Sequence, residues 1–208
     1  DGGAGKDYLK GGVGNDTYVV DNFRDQVVET WSSGGDTGGN DTVKSSITYS
    51  LGTNVENLTL TDLASNGTGN SLNNSVVGNN IANTLDGKEG NDYLDGGGGK
   101  DLIIGGLGND TLDGSTGDID TLYGGLGDDT YLVGLPEDII VEAANEGFDT
   151  VNSAATSYTI SDNVENLVLY QGNINGTGND LDNNISVASS ITTQYANIIN
   201  GGAGDDTM

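Results

Sequence analysis

Aspartate recurs every ninth residue in the middle of the chain, at Asp92, Asp101 and Asp110, and again at Asp120 and Asp129 after one inserted residue. Glycines precede each at set distances: Gly87 and Gly90 before Asp92; Gly96, Gly97 and Gly99 before Asp101; Gly105, Gly106 and Gly108 before Asp110. Gly114 and Gly117 precede Asp120, and Gly124, Gly125 and Gly127 precede Asp129. Glycine permits the positive φ values and tight turns that aim backbone carbonyls inward. Inward carbonyls and one carboxylate per nonapeptide make an all-oxygen ligand set. The chain has no Cys and no His, so the ligands suit a hard cation, and Ca2+ is favoured over transition metals.

These residues belong to a repeat. The stretch 87–132 reads GKEGNDYLD, GGGGKDLII, GGLGNDTLD, GSTGDIDTLY and GGLGDDTYL. The pattern also opens the chain as GGAGKDYLK and GGVGNDTYV, with Asp7 and Asp16 at the sixth position, and returns as GGAGDDTM, with Asp206 there. The template is G-G-x-G-x-D-x-U-x, where U is a large apolar residue. It resembles the calcium-binding nonapeptides of the RTX (repeat-in-toxin, haemolysin-type) family of secreted bacterial proteins. The resemblance implies an all-β fold, a right-handed parallel β-roll or β-solenoid in which two nonapeptides make one turn. It also implies that the first six residues of each repeat bind Ca2+ and the last three form a short strand. Clear copies cover about a third of the chain.

The elements that must position these aspartates extend further than the clear copies. Counting in nines from Leu85 meets Val76, Gly67, Leu58 and Tyr49 backward, and Leu94, Ile103, Leu112, Leu122 (one residue late) and Tyr131 forward. Tyr158, Leu167, Gly176 and Ile185 keep the same step. The apolar residue at position eight therefore points into a core once per short strand. GNSLNNSVV, GNNIANTLD and GNDLDNNIS are degenerate nonapeptides with Leu72, Ile81 and Leu181 at position four and Asn74, Asn83 and Asn183 at position six. Asn offers a neutral oxygen and a donor. Stacked Asn side chains and an apolar residue filling the turn predict calcium-free spacers.

With two nonapeptides per turn, repeats two apart stack. Asp92 is then expected over Asp110, Asp110 over Asp129, and Asp101 over Asp120. Asp138 falls in phase to follow Asp120, and Asp25 to follow Asp7; for these two the alternative is a solvated acidic face. Asp7 and Asp16 lie near one end, where a stacking turn can be missing. Stacked strands lie about 4.8 Å apart. Bare aspartates at that spacing repel, and a divalent cation between them reverses the sign.

A longer period overlies the short one. Residues 11–87 and 124–201 share the words DTYVV/DTYLV, VVE/IVE, DTV/DTV, NVENLTL/NVENLVL and NGTGN/NGTGN in order. The first copy has extra residues near Gly34–Asn40 and the second near Ser189–Tyr195, as surface loops of a solenoid would. The expected organisation is one elongated solenoid over 1–208, with these two units joined by the clear repeats 87–132. Met208 and Asp1 occupy successive positions of the nonapeptide, so the ends are in phase for head-to-tail tiling.

Charge and composition narrow the function. The formal net charge is −26, which repels nucleic acid and anionic lipid and favours cations as partners. No apolar run reaches the roughly 18 residues of a membrane helix. Without His or Cys there is no Ser-His-Asp triad, thiol nucleophile or disulfide scaffold. The repeat accounts for the carboxylates, so no enzyme activity is expected. There is no initiator Met and no signal-peptide pattern, which reads as an interior piece of a longer chain. Trp31 is expected to pack on its own solenoid; glycan binding is a weak alternative resting on that residue and the exposed sheet.

These readings converge on a calcium-binding structural module of a secreted bacterial protein. The resemblance implies export by a type I secretion system as an unfolded chain and folding outside the cell. About six Ca2+ ions would cut the charge to roughly −14. An adhesin, surface layer or extracellular filament is the expected host, with further copies of the unit as partners. The alternative is an accessory domain of a secreted protease, lipase or polysaccharide-modifying enzyme.

Overall fold

The computed structural model describes residues 1–29, 39–170, 175–188 and 197–208. Trp31, most of the extra segment near Gly34–Asn40 and the one near Ser189–Tyr195 lie outside the described residues. The described residues form short strands and turns without a helix, and all strand pairs are parallel. The chain winds as a flat coil in which alternate strands go to opposite sheets.

One sheet has ten strands: Thr17–Val20, Thr42–Ser45, Asn57–Leu60, Ser75–Asn79, Tyr93–Gly97, Thr111–Gly114, Thr130–Val133, Thr150–Ser153, Asn166–Leu169 and Asn184–Val187. The other side comes in three pieces. Tyr8–Lys10 pairs with Gln26–Val28. A six-stranded sheet runs Tyr49–Ser50, Asn66–Thr68, Thr84–Glu89, Leu102–Leu107, Thr121–Leu126 and Ile139–Val141. The last piece stacks Ser157–Thr159, Asn175–Thr177 and Ile198–Asn200.

The nine-residue count predicts the registers found except at Val151, which it does not reach. Leu58, Val76, Leu94, Leu112, Tyr131, Val151, Leu167 and Ile185 stand over one another in successive strands of the ten-stranded sheet. Tyr49, Gly67, Leu85, Ile103, Leu122 and Ile140 do the same opposite. Nearly all the large side chains of these columns are fully buried. Each such Leu or Ile contributes about 1.5–3 kcal/mol of burial, and Asn57–Leu60, Thr130–Val133 and Asn166–Leu169 bury a second apolar residue, Leu60, Val133 and Leu169. Gly67 occupies an apolar position because Leu58, Val76 and Leu85 already fill it, their side chains standing 3.1–3.3 Å from where a Cβ would lie.

Strands are longer than the expected triplet where clear repeats face each other. Leu102–Leu107 continues through Gly105 and Gly106 into the next nonapeptide and stays in register with Thr121–Leu126. The turn is therefore built on glycines that still sit in the ladder.

Candidate metal centre

The position-six side chains form two columns at the ends of the coil. Asp92 N–H donates to Asp110 Oδ1 at 2.7 Å, Asp110 N–H to Asp129 Oδ1 at 2.7 Å, and Asp129 N–H to Asp149 Oδ1 at 2.8 Å. In the other column Asn83 N–H donates to Asp101, Asp101 N–H to Asp120, and Asp120 N–H to Asp138, at 2.7, 2.7 and 3.1 Å. The expected pairs of aspartates are thus juxtaposed. Each carboxylate spends one oxygen on the amide of the turn before it.

The second oxygen is different. Oδ2 of Asp7, Asp16, Asp92, Asp101, Asp110, Asp120 and Asp129 is buried and has no hydrogen-bond partner. Among the described residues the ion pair is Lys88–Asp86 at 2.5 Å, and neither residue belongs to a column. Burial pushes Asp92, Asp120 and Asp129 up to about 7 and Asp101 up to about 6, against the backbone N–H bonds that favour their charged forms. Burial raises Asp110 as well. A row of buried carboxylate oxygens without donors is costly. A divalent cation supplies what they lack, so the residues fit Ca2+.

The glycines hold this arrangement in two ways, not the one expected. Position two carries positive φ, 120° at Gly106 and 98° at Gly125, and so does Lys88 at 85° in a repeat that lacks glycine there. Position one is not in that region. It is glycine for space: a Cβ on Gly105 would overlap Asp110 Oδ2 and stand 2.6 Å from the Gly124 carbonyl. The carboxylate folds back over the first glycine of its own repeat. Gly87, Gly96, Gly124 and Gly201 lie likewise under Asp92, Asp101, Asp129 and Asp206.

The degenerate turns satisfy themselves. Asn74 Oδ1 accepts from Asn70 N–H at 2.6 Å, and its Nδ2 donates to the carbonyls of Val55 and Glu56 at 3.3 and 3.2 Å. Asn83 and Asn183 repeat this with Asn79 and Asn179. The expectation of side chains stacked Asn on Asn is corrected: each carboxamide bridges its own turn and the backbone of the turn before. At position four Leu181 is 38% exposed and does not fill its turn, whereas Leu72 and Ile81 are half-buried. The donor that Asn adds makes the difference.

Asp25 and Asp138 stand where stacking places them, accepting from Asp7 and Asp120 N–H. Their second oxygens are already used. Asp25 Oδ2 accepts from Asn22 N–H at 3.1 Å, and Asp138 Oδ2 from Gly134 and Leu135 N–H at 3.1 and 2.9 Å. Both close a turn with backbone donors. Asp206 Oδ1 accepts from Asn183 N–H at 3.0 Å. Asp16 does have a stacking turn, correcting the expectation of a missing one: its N–H donates to Asp41 Oδ1 at 2.8 Å.

Sequence reasoning missed Asp41, Asp149, Glu56 and Glu165. Asp41 N–H donates to Glu56 Oε2, and Asp149 N–H to Glu165 Oε2, both at 2.8 Å. These turns are 15 and 16 residues long rather than 18, so the nine-residue count slips past them. The usable signal was the recurrence of DTV and NVEN in both halves.

Among the described residues no helix is long and apolar enough to cross a membrane. No curated protein matches the chain. The family profile of the RTX calcium-binding nonapeptide repeat, four copies long, matches residues 1–27, 68–103, 77–112, 104–135 and 191–208, together just over half of the chain. Repeats of this family bind Ca2+ and form a β-roll, which agrees with the parallel two-sided coil and its columns of unpartnered carboxylate oxygens. The chain belongs to the family of RTX calcium-binding nonapeptide repeat proteins.

Proposed function

We propose that this chain is a calcium-triggered structural module that leaves the cell unfolded and folds outside it. The observation that carries this reading is the buried, unpartnered Oδ2 of Asp92, Asp101, Asp110, Asp120 and Asp129. Without cations, compaction stacks these charges against one another in a chain of net charge −26, and self-repulsion opposes it. With cations, binding free energy becomes folding free energy. Extracellular calcium modules bind at about 10⁻⁴–10⁻³ M, far above cytoplasmic calcium, so the switch lies between the two compartments. The Asn turns then lengthen the solenoid without further ions. Export by a type I system, and a place in an adhesin, surface layer or extracellular filament, complete the proposal.

The test is a circular dichroism titration of the chain with Ca2+, with Mg2+ as the control. A cooperative rise of β signal at about 0.1–1 mM Ca2+, absent with Mg2+, supports the module. A full β spectrum in chelator at neutral pH overturns the folding switch.

A further inference from the structure

We propose that Asp16, Glu29 and Asp41, and again Asp129, Glu142 and Asp149, form two additional divalent-cation sites in which the nonapeptide supplies one carboxylate and the irregular turn after it supplies two. The proposal does not depend on where the chain folds or on calcium being the folding trigger.

Each trio has one carboxylate oxygen per residue within 4.8 Å of the others. Ca2+ takes oxygens at about 2.3–2.6 Å, so oxygens across one ion stand up to about 5 Å apart. The trios are enclosed: Asp129, Glu142, Asp149, Glu29 and Asp41 are all at least nine-tenths buried.

Proximity alone would be only an acidic cluster. The further observation is that buried polar atoms in the trios have nothing to bind. Both oxygens of Glu29, Oδ2 of Asp16 and Asp41, and the hydroxyl of Tyr18 are buried without a hydrogen-bond partner. The amides of Gly11 and Gly12 lie near enough to favour the Glu29 anion but outside hydrogen-bonding geometry. In the second trio Oδ2 of Asp129 and Oε2 of Glu142 are unpartnered, while Tyr131 donates its hydroxyl to Glu142 Oε1. Burial, then the charges of Asp149 and Asp129, push Glu142 up to about 9. A glutamate is a poor choice for a dry position unless something positive sits there.

The surroundings are duplicated with the ligands. A Cβ on Gly11 would overlap Asp16 and Tyr18, and one on Gly124 would overlap Asp129 and Tyr131, so neither position admits a side chain. The Glu142 carbonyl accepts from Asn163 Nδ2 at 2.9 Å and the Glu29 carbonyl from Asn54 Nδ2 at 3.5 Å, with both asparagines at positive φ. Two turns of unlike length, 25 and 20 residues between the stacked aspartates, thus bring the same three acids together. Three carboxylates give more negative charge than a nonapeptide turn, and affinity in oxygen sites rises with ligand charge. These two sites fill first.

The test counts Ca2+ bound to the whole chain by equilibrium dialysis and native mass spectrometry. Glu142→Gln and Glu29→Gln each lose one ion from the tightest class and the double variant loses two, while Glu137→Gln loses none. Dichroism at saturating calcium checks that the variants fold. A folded double variant with an unchanged ion count and affinity overturns the proposal, even if calcium still folds the chain. If the Gln variants do not fold, Tb3+ is the probe for Tyr18→Phe/Tyr131→Phe, which keeps the carboxylates. Loss of the first-filling part of tyrosine-sensitised emission, with the ion count unchanged, supports the sites, and undiminished emission overturns them.

Discussion

Asp92 donates its backbone N–H to Asp110 Oδ1 at 2.7 Å, and the other oxygen of Asp110 is buried with no partner. One side chain is thus both a rung of the backbone ladder and an open ligand. A cation held at that second oxygen would couple calcium binding to the fold through this one residue.

Asp110→Ala is expected to weaken calcium-induced folding more than Asp182→Ala. Asp110 serves two stacked turns, accepting from Asp92 and donating to Asp129. Asp182 is exposed and accepts one amide, from Asp205 at 2.8 Å. Loss of a buried acceptor that leaves an amide unsatisfied costs about 1–3 kcal/mol, which raises the calcium concentration needed for folding. Equal midpoints for the two variants would contradict the stacking role.

Protons are expected to substitute for calcium in part. Burial lifts Asp92, Asp120 and Asp129 to about 7, Asp101 and Asp149 to about 6 and Glu142 to about 9. In the unfolded chain such groups titrate near 4. The folded state therefore holds more protons between about pH 4 and pH 7, so metal-free stability falls as pH rises through that window and returns on acidification. In chelator, β signal grows from pH 7 to pH 5, and calcium affinity declines over the same range as protons compete. Metal-free dichroism that is flat with pH, or that falls on acidification, would refute this.

Gly105→Ala is expected to destabilise the calcium-loaded chain by about 1–3 kcal/mol or more through overpacking. Its Cβ would collide with the buried, unpartnered Oδ2 of Asp110. Gly52→Ala is the comparison, because nothing stands within 4 Å of its added carbon and its φ is not positive. Thermal unfolding at saturating calcium reads the difference.

Asn83→Asp looks like a gain of a calcium ligand and is expected to be a loss. Nδ2 of Asn83 donates to the Ala64 carbonyl at 2.9 Å, and a carboxylate oxygen there would face that carbonyl instead. The unmet acceptor and the buried charge cost about 1–3 kcal/mol. A lowered melting temperature in calcium is the expected result; an unchanged one would mean that the Asn turns are not closed by their carboxamides.

The sequence alone determined the periodic part of this protein. One apolar residue per strand, at fixed phase, follows from counting; with the two repeats per turn that the RTX resemblance implies, Leu94 over Leu112 and Asp92 over Asp110 follow as well. The oxygen-only ligand set follows from a chain without Cys or His. Tertiary structure alone decided what counting cannot reach. Asp41, Asp149, Glu29 and Glu142 sit in turns whose length departs from the repeat, so their phase is lost along the chain and recovered only when the coil stacks them. It also separated Asp138, whose second oxygen meets two amides, from Asp120, whose second oxygen meets none. The two share the phase of the column, and the difference lies in where backbone donors point, which is set by the path of the turn.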